Sequence, residues 1–163
     1  MKIKSLFIVL ILVLSSACGF HLRGSYVLPA WFNSVYISGI EKVNQDFGRE
    51  LLKELQAKKI SMVPSIASAR TILNLKEDRL ARSVYAKDPT SGITTSYQIG
   101  YSLSYEIYTS NGAERIEGKY QAADNYEFDS NNLLSAQEKE NRIKVELINN
   151  AVNSIFSHLS RRK

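Results

Sequence analysis

Two periodicities divide this chain. Thr95, Tyr97, Ile99, Tyr101, Leu103, Tyr105 and Ile107 alternate with Ser96, Gln98, Gly100, Ser102, Ser104 and Glu106. A period of two held over this length predicts one long strand with a buried face and an open face. At a rise of about 3.4 Å per residue it spans on the order of 45 Å. Ser96, Gln98, Ser102 and Ser104 are expected on the open face. Asn111-Gly112 follows, a dipeptide that readily takes the positive φ values of a tight hairpin turn. The return strand puts Ile116, Gly118, Tyr120, Ala122 and Tyr126 on one face and Arg115, Glu117, Lys119, Gln121 and Asn125 on the other.

Helical spacing appears twice. Between Asn44 and Ile60, Phe47, Leu51, Leu52 and Leu55 share a face, and Arg49, Glu50, Lys53, Glu54, Lys58 and Lys59 surround it,. Asn44 is the expected N-cap, and Lys58 and Lys59 fall in the expected last turn. In the last third, Val145, Ile148, Val152, Ile155 and Leu159 recur at spacings of three and four, widened by Leu147, Ala151 and Phe156. Asp129 or Ser130 is the expected cap there. Two further strands complete the pattern: Ser34 to Gly39, and Thr71 to Tyr85. The second changes apolar parity from Leu73 and Leu75 to Leu80 and Val84, which predicts a bulge between Glu77 and Arg79. Ala86 to Gly92 reads as a loop. The order is β-α-β-β-β-α. Elements with one apolar face each predict an α+β two-layer sandwich, a four-stranded sheet with both helices on one face.

The N-terminus changes the picture from fold to address. Lys2 and Lys4 precede the apolar run Leu6 to Leu14, and Ser15, Ser16 and Ala17 lead to Cys18. A basic start, a short apolar run and small residues describe a secretory signal peptide, residues 1–17. The run is too short for a membrane span, which needs about 20 apolar residues. Cys18 is the single cysteine, so it has no internal disulfide partner. Its place at the cleavage point predicts lipidation, as in bacterial lipoproteins. Gly19 stands where an inner-membrane retention signal has Asp, which favours the outer membrane. Residues 18–33 read as a lipidated tether and 34–163 as a single domain. The chain has 163 residues, with 21 Lys and Arg against 16 Asp and Glu. Loss of Lys2 and Lys4 reduces the basic excess from five to three, a mild balance that suits an anionic partner without calling for nucleic acid.

The string Cys18-Gly19-Phe20-His21-Leu22-Arg23-Gly24, directly after a lipoprotein signal, resembles the start of mature proteins of the LptE family. Tyr97 to Ile99, and Asn132-Leu133-Leu134-Ser135-Ala136 with Glu138 and Glu140, also look like family positions. The resemblance implies a non-enzymatic outer-membrane lipoprotein at the periplasmic leaflet. Such proteins complex with the β-barrel LptD, plug its lumen, assist its assembly and help deliver lipopolysaccharide to the cell surface. It implies that Phe20, His21, Leu22 and Arg23 serve as a partner tether. It also implies lipopolysaccharide contact by a basic residue in the loop after the second long strand, where Lys87 is the nearest match, with Arg82 beside it. The family's second basic position, near the start of the final helix, falls at Ser135 or Ala136, neither of them basic.

Other chemistries find little support in the residues. With only His21 and His158 and no second cysteine, no zinc ligand set is expected. No G-x-S-x-G, nucleophile–base pair or glycine-rich phosphate loop is present, so neither catalysis nor a cofactor is expected. Glu138, Glu140 and Glu146 fit the solvated face of a helix. Arg79, Arg82, Lys87, Arg115 and Lys119 are ordinary solvated charge or contacts for phosphates and acidic sugars. A secretin pilotin is the nearest rival function. A lipid carrier with an internal cavity and a periplasmic enzyme stand further off.

Overall fold

The computed structural model describes residues 26–161. Cys18 and the Phe20–Arg23 string lie outside them. The first strand, β1 (Ser34–Ser38), buries Val35 completely. Gly39 follows at φ 79, where a Cβ would lie 2.2 Å from the Leu75 carbonyl oxygen. Only glycine meets both conditions. Helix α1 (Gln45–Ala57) starts as expected at Asn44, whose side chain accepts from the Asp46 amide at 2.9 Å,. Phe47, Leu51 and Leu55 form its buried face. At its end, the Ile60 amide donates to the Leu55 carbonyl at 3.0 Å and the Lys59 amide to the Gln56 carbonyl at 2.9 Å. That closure needs a left-handed residue, usually glycine. Here it is Lys59, at φ 57.

A short strand, β2 (Ser61–Met62), follows and runs parallel to β1, with Ser61 opposite Ser34. The next strands are β3 (Thr71–Lys87), β4 (Thr94–Thr109) and β5 (Arg115–Glu127). β3 lies parallel to β1 on its other side and antiparallel to β4, which is antiparallel to β5. The sheet therefore has five strands in the order β2-β1-β3-β4-β5, not the expected four, and the element order gains a strand after α1. β2 has two residues, both exposed; it has no apolar period of its own and is defined only by pairing with β1.

The bulge exists, but it lies at Lys76, between Leu75 and Glu77, rather than between Glu77 and Arg79. Leu73 and Leu75 point to the core before it. After it the even positions do, so Asp78 faces Leu103 across the ladder. There its carboxylate accepts from the Asn44 amide at 2.9 Å and from the Tyr101 hydroxyl at 2.8 Å. Burial, then that bond to Asp78, pushes the Tyr101 hydroxyl far above its ordinary pKa. The strand's change of phase thus fastens the entry of α1 to the sheet.

Helix α2 (Leu133–Ser160) is capped by Asn132, whose side chain accepts from the Ser135 amide at 3.3 Å. The expected caps lie just upstream, and Asp129 instead shapes the turn by accepting from the Asn131 amide at 2.8 Å. Ile148, Val152, Ile155 and Leu159 are buried as the spacing predicts, but Val145 is 57% exposed. The stripe drifts along a helix of this length, and position 145 has rotated off it.

Both helices and the inward residues of the sheet meet in one core, from Phe47 and Leu51 through Ile99, Tyr101 and Leu103 to Ile155 and Phe156. Phe32 belongs to this core, and Tyr26, Leu28 and Trp31 pack against it. The described part of the 18–33 segment therefore lies on the domain. Ser96 departs from the alternation and is buried at 8% exposure. The rest of the open face is as expected over its upper half: Arg79, Ala81, Gln98, Gly100, Ser102 and Gln121 line a shallow groove there. Lower down, Glu106 is buried on this face, with Lys76 Nζ at 3.6 Å and the Arg115 guanidinium against it.

The sheet has two distinct ends. At the tip, the loop after β3, the end of β5 and the start of α2 come together. At the base lie the β4–β5 turn, the start of β1, the C-terminal ends of both helices and the chain's entry at Tyr26.

Candidate functional site

The tip carries the chemistry left unaccounted for by the core. β3 ends at Lys87, opposite Thr94 of β4. The loop between them is built on Asp88. Its carboxylate accepts from the Ser91 amide at 2.7 Å, the Ser91 hydroxyl at 2.9 Å and the Thr90 amide at 3.0 Å. These bonds, the Ser91 amide first, hold Asp88 below the ordinary carboxylate pKa. Lys87 is exposed beside this ordered turn and has no ion pair among the described residues.

Arg82 sits differently. The bulge turns it to the helix side, and its guanidinium stacks 3.5 Å from the centre of the Tyr97 ring. Its Nε donates to the Tyr126 hydroxyl at 3.1 Å and lies 3.1 Å from the Glu140 carboxylate. Tyr126 donates to Glu140 at 2.5 Å, and Lys144 pairs with the same carboxylate at 2.5 Å. Phe128 meets Tyr97 edge-on at 5.1 Å. Partial burial disfavours the charged guanidinium, but Tyr126 and Glu140 outweigh it and raise the Arg82 pKa. Burial likewise disfavours the Glu140 carboxylate, and Lys144, Tyr126 and Arg82 together outweigh it, so its pKa falls. Tyr126 is raised, first by burial and then by its bond to Glu140. Charged, aromatic and hydrogen-bonding contacts here join β3, β4 and β5 to the first turns of α2.

Beside this cluster a cleft of about 590 Å³ opens between the strand ends and α2. Ser96, Asn125, Asn132, Ser135, Ala136 and Lys139 are among the residues lining it. Leu133 and Leu134 stand 61% and 71% exposed near it, and Val84, Tyr85 and Ile93 are exposed at the same end. The arrangement is open, polar within and fringed by apolar groups, and it mixes signs, because Glu127 and Asp129 line the cleft together with Lys139. It suits reversible surface contact better than enclosure of a small substrate.

The sequence-predicted residues thus fall in different settings. Lys87 is presented outward, Arg82 is committed to Tyr97, Tyr126 and Glu140, and Ser135 and Ala136 line the cleft. Lys139, one turn along α2 from those two, supplies a cation that spacing alone did not single out. Glu140, expected with Glu138 and Glu146 on the solvated face of the helix, is instead partly buried and tied to Arg82, Tyr126 and Lys144, a tie that depends on the bulge. Among the described residues no cluster of His, Cys, Asp and Glu could hold a metal, and no helix is long and apolar enough to cross a membrane. His158 instead meets the Tyr105 hydroxyl at 3.2 Å.

Three solved structures share this fold. Rare lipoprotein B from Shewanella oneidensis is 20% identical, with a TM-score of 0.66, covering 79% of this chain and 95% of its own. A minor lipoprotein from Acinetobacter baumannii is 16% identical, with a TM-score of 0.62, covering 82% and 94%. Lipoprotein B from Nitrosomonas europaea is 19% identical, with a TM-score of 0.61, covering 87% and 90%. At these identities the likeness concerns the fold. No curated protein sequence matches the chain. The family model for LptE, lipopolysaccharide-assembly, matches residues 32–159, from the first buried aromatic of the domain to the last buried leucine of α2. The chain belongs to the LptE lipopolysaccharide-assembly family.

Proposed function

We propose that this protein is an outer-membrane lipoprotein, lipidated on Cys18, that occupies the lumen of the β-barrel LptD. In that reading it plugs the barrel, assists its assembly and helps pass lipopolysaccharide to the cell surface. The observation that carries it is the open face of the sheet. Over the upper half of long strands, Gln98, Gly100, Ser102 and Gln121 form a surface of small and polar groups. Barrel interiors are polar and hydrated, and such a face meets them without stranding apolar area. The residues Phe20, His21, Leu22 and Arg23 then act as a partner tether. Photo-crosslinkers at Gln98, Ser102 and Gln121 in growing cells test the reading. Crosslinks to a large outer-membrane barrel are expected from all three positions. Crosslinks to a secretin would favour the pilotin function, and an absence of barrel crosslinks, with lipopolysaccharide export intact after deletion, would overturn the assignment.

The tip is the part proposed to touch lipopolysaccharide. Lys87 and Lys139 approach its phosphates and acidic sugars as mobile cations. Arg82 contributes charge while holding α2 against the sheet. The exposed Leu133, Leu134 and Ile93 provide apolar contact beside them. The function is binding and delivery, with no bond made or broken.

A further inference from the structure

The base of the molecule has a character that the tip chemistry does not use. Lys59, Arg70 and Arg161 are exposed there, with Glu114 in the β4–β5 turn an exposed acid at the same end. The Arg70 amide donates to the Ser34 carbonyl, which puts Arg70 at the start of β1. Apolar groups accompany the cations. Val27 is 75% exposed where the chain enters, and Met62 and Ile66 are exposed on the edge strand and on the 3-10 turn that follows it. The entry itself is fixed in place. The Lys58 ammonium lies 5.3 Å from the centre of the Tyr26 ring and 5.0 Å from that of Phe156, so it bridges the incoming chain and the end of α2.

Lys59 adds an independent observation. Its backbone is left-handed at φ 57, in the position that closes α1. That conformation is unfavourable for a residue with a Cβ, and glycine would relax it. A cation held where the backbone prefers glycine points to a use for the side chain.

We infer that the base is a membrane-facing surface whose partner is the anionic headgroup layer of a bilayer. This rests on the lipid anchor at Cys18 proposed above. Residues 18–25, between the anchor and the first described residue, reach at most about 26–29 Å. A lipid on Cys18 therefore holds the base near the bilayer, whereas the far end of β3 lies on the order of 55 Å away along the strand. Lys59, Arg70 and Arg161 pair with lipid phosphates, and Val27, Met62 and Ile66 enter the interfacial zone. While the lipoprotein is outside the barrel, this contact stands the domain upright with the tip turned away from the bilayer.

The test uses the full lipidated chain in phosphatidylcholine vesicles with and without phosphatidylglycerol. An environment-sensitive dye is placed by Met62→Cys, Ile66→Cys or, at the tip, Ile93→Cys, and headgroup-labelled lipid serves as the quencher. Quenching is expected at 62 and 66 only with phosphatidylglycerol present, lost at about 1 M salt where the screening length falls to about 3 Å, and absent at 93. Equal quenching at all three positions, or none at 62 and 66, would overturn the surface. Lys59→Gly gives a second readout. It should raise the thermal midpoint yet lower the docked-to-undocked ratio about five-fold, the effect of one cation at an anionic surface. A raised midpoint with unchanged quenching would reduce Lys59 to a structural role and remove its part in the surface. Flotation at about 1 M salt reads the anchor separately: a chain lost from the vesicles there lacks its acyl group, and its low-salt quenching still decides the surface.

Discussion

Tyr105 depends on a side chain that is missing from the neighbouring strand. Gly118 lies opposite it on β5, and a Cβ there would fall 2.1 Å from the ring Cζ. The space lets the ring lie flat beneath α2, where burial pushes its hydroxyl pKa up to about 12 and His158 meets it. Gly118→Ala should therefore destabilise the domain by about 1–3 kcal/mol, the usual cost of overpacking, measured by urea unfolding. Adding Tyr105→Leu should restore much of the loss, because the clash is with the ring. Glu140 supports a pH prediction. Its folded pKa is lowered, so its stabilisation is present above the ordinary glutamate value and disappears as pH falls through the lower, folded one. The penalty of Glu140→Gln should accordingly be largest near neutrality and shrink below about pH 4. A penalty that stays constant with pH would place the effect in shape rather than charge.

At the scale of elements, the long strand is the clearest case of pattern becoming structure. Leu103 is buried and Ser102 lines the open groove. Leu103→Ala should cost about 2–5 kcal/mol, while Ser102→Ala should stay within about 0.5 kcal/mol, both read from denaturant midpoints. The bulge itself can be tested by removal. Deleting Lys76 leaves Leu75 opposite Tyr105, Glu77 opposite Ser104 and Asp78 opposite Leu103, so the alternation becomes continuous with Asp78 still turned to Asn44 and Tyr101. The shortened chain should still unfold cooperatively by circular dichroism, whereas an insertion of one residue after Lys76, which would turn Asp78 outward, should not. These elements were legible because period and parity are local properties of a sequence. The parity change announced a bulge, but apolar residues at 73, 75, 80 and 84 bracket it only loosely, and the ladder fixed it at Lys76. β2 was illegible because two exposed residues have no period. Val145 was misplaced because apolar spacing cannot show how a long stripe drifts. At the site, Lys87 and Arg82 were both visible as cations near a strand end. That one is free to reach outward while the other is locked to Glu140 follows from the bulge at Lys76, which turns Arg82 inward, and from two further register shifts around Ala86 that come before Lys87.

The whole molecule separates its exposed groups by end, and function should separate with them. Lys87→Ala combined with Lys139→Ala should weaken lipopolysaccharide binding and flatten its salt dependence, measured with the purified lipoprotein, while the unfolding midpoint stays unchanged. A loss of stability instead would show that these cations support the fold. The order of strands in the sheet also constrains how the fold can be reached in time. β1 sits between β2 and β3, and its partners Thr71 to Asn74 on β3 come more than thirty positions after it in the chain. A polypeptide that emerges N-terminus first exposes Val35 and Phe32 before β3 exists, when only the first helix and the two-residue β2 can cover them. The β3-β4-β5 meander, by contrast, closes through two short turns and can form by itself. The first strand of the domain is thus born early and docked onto the meander late, and until then its apolar residues are open to chaperones or to other chains.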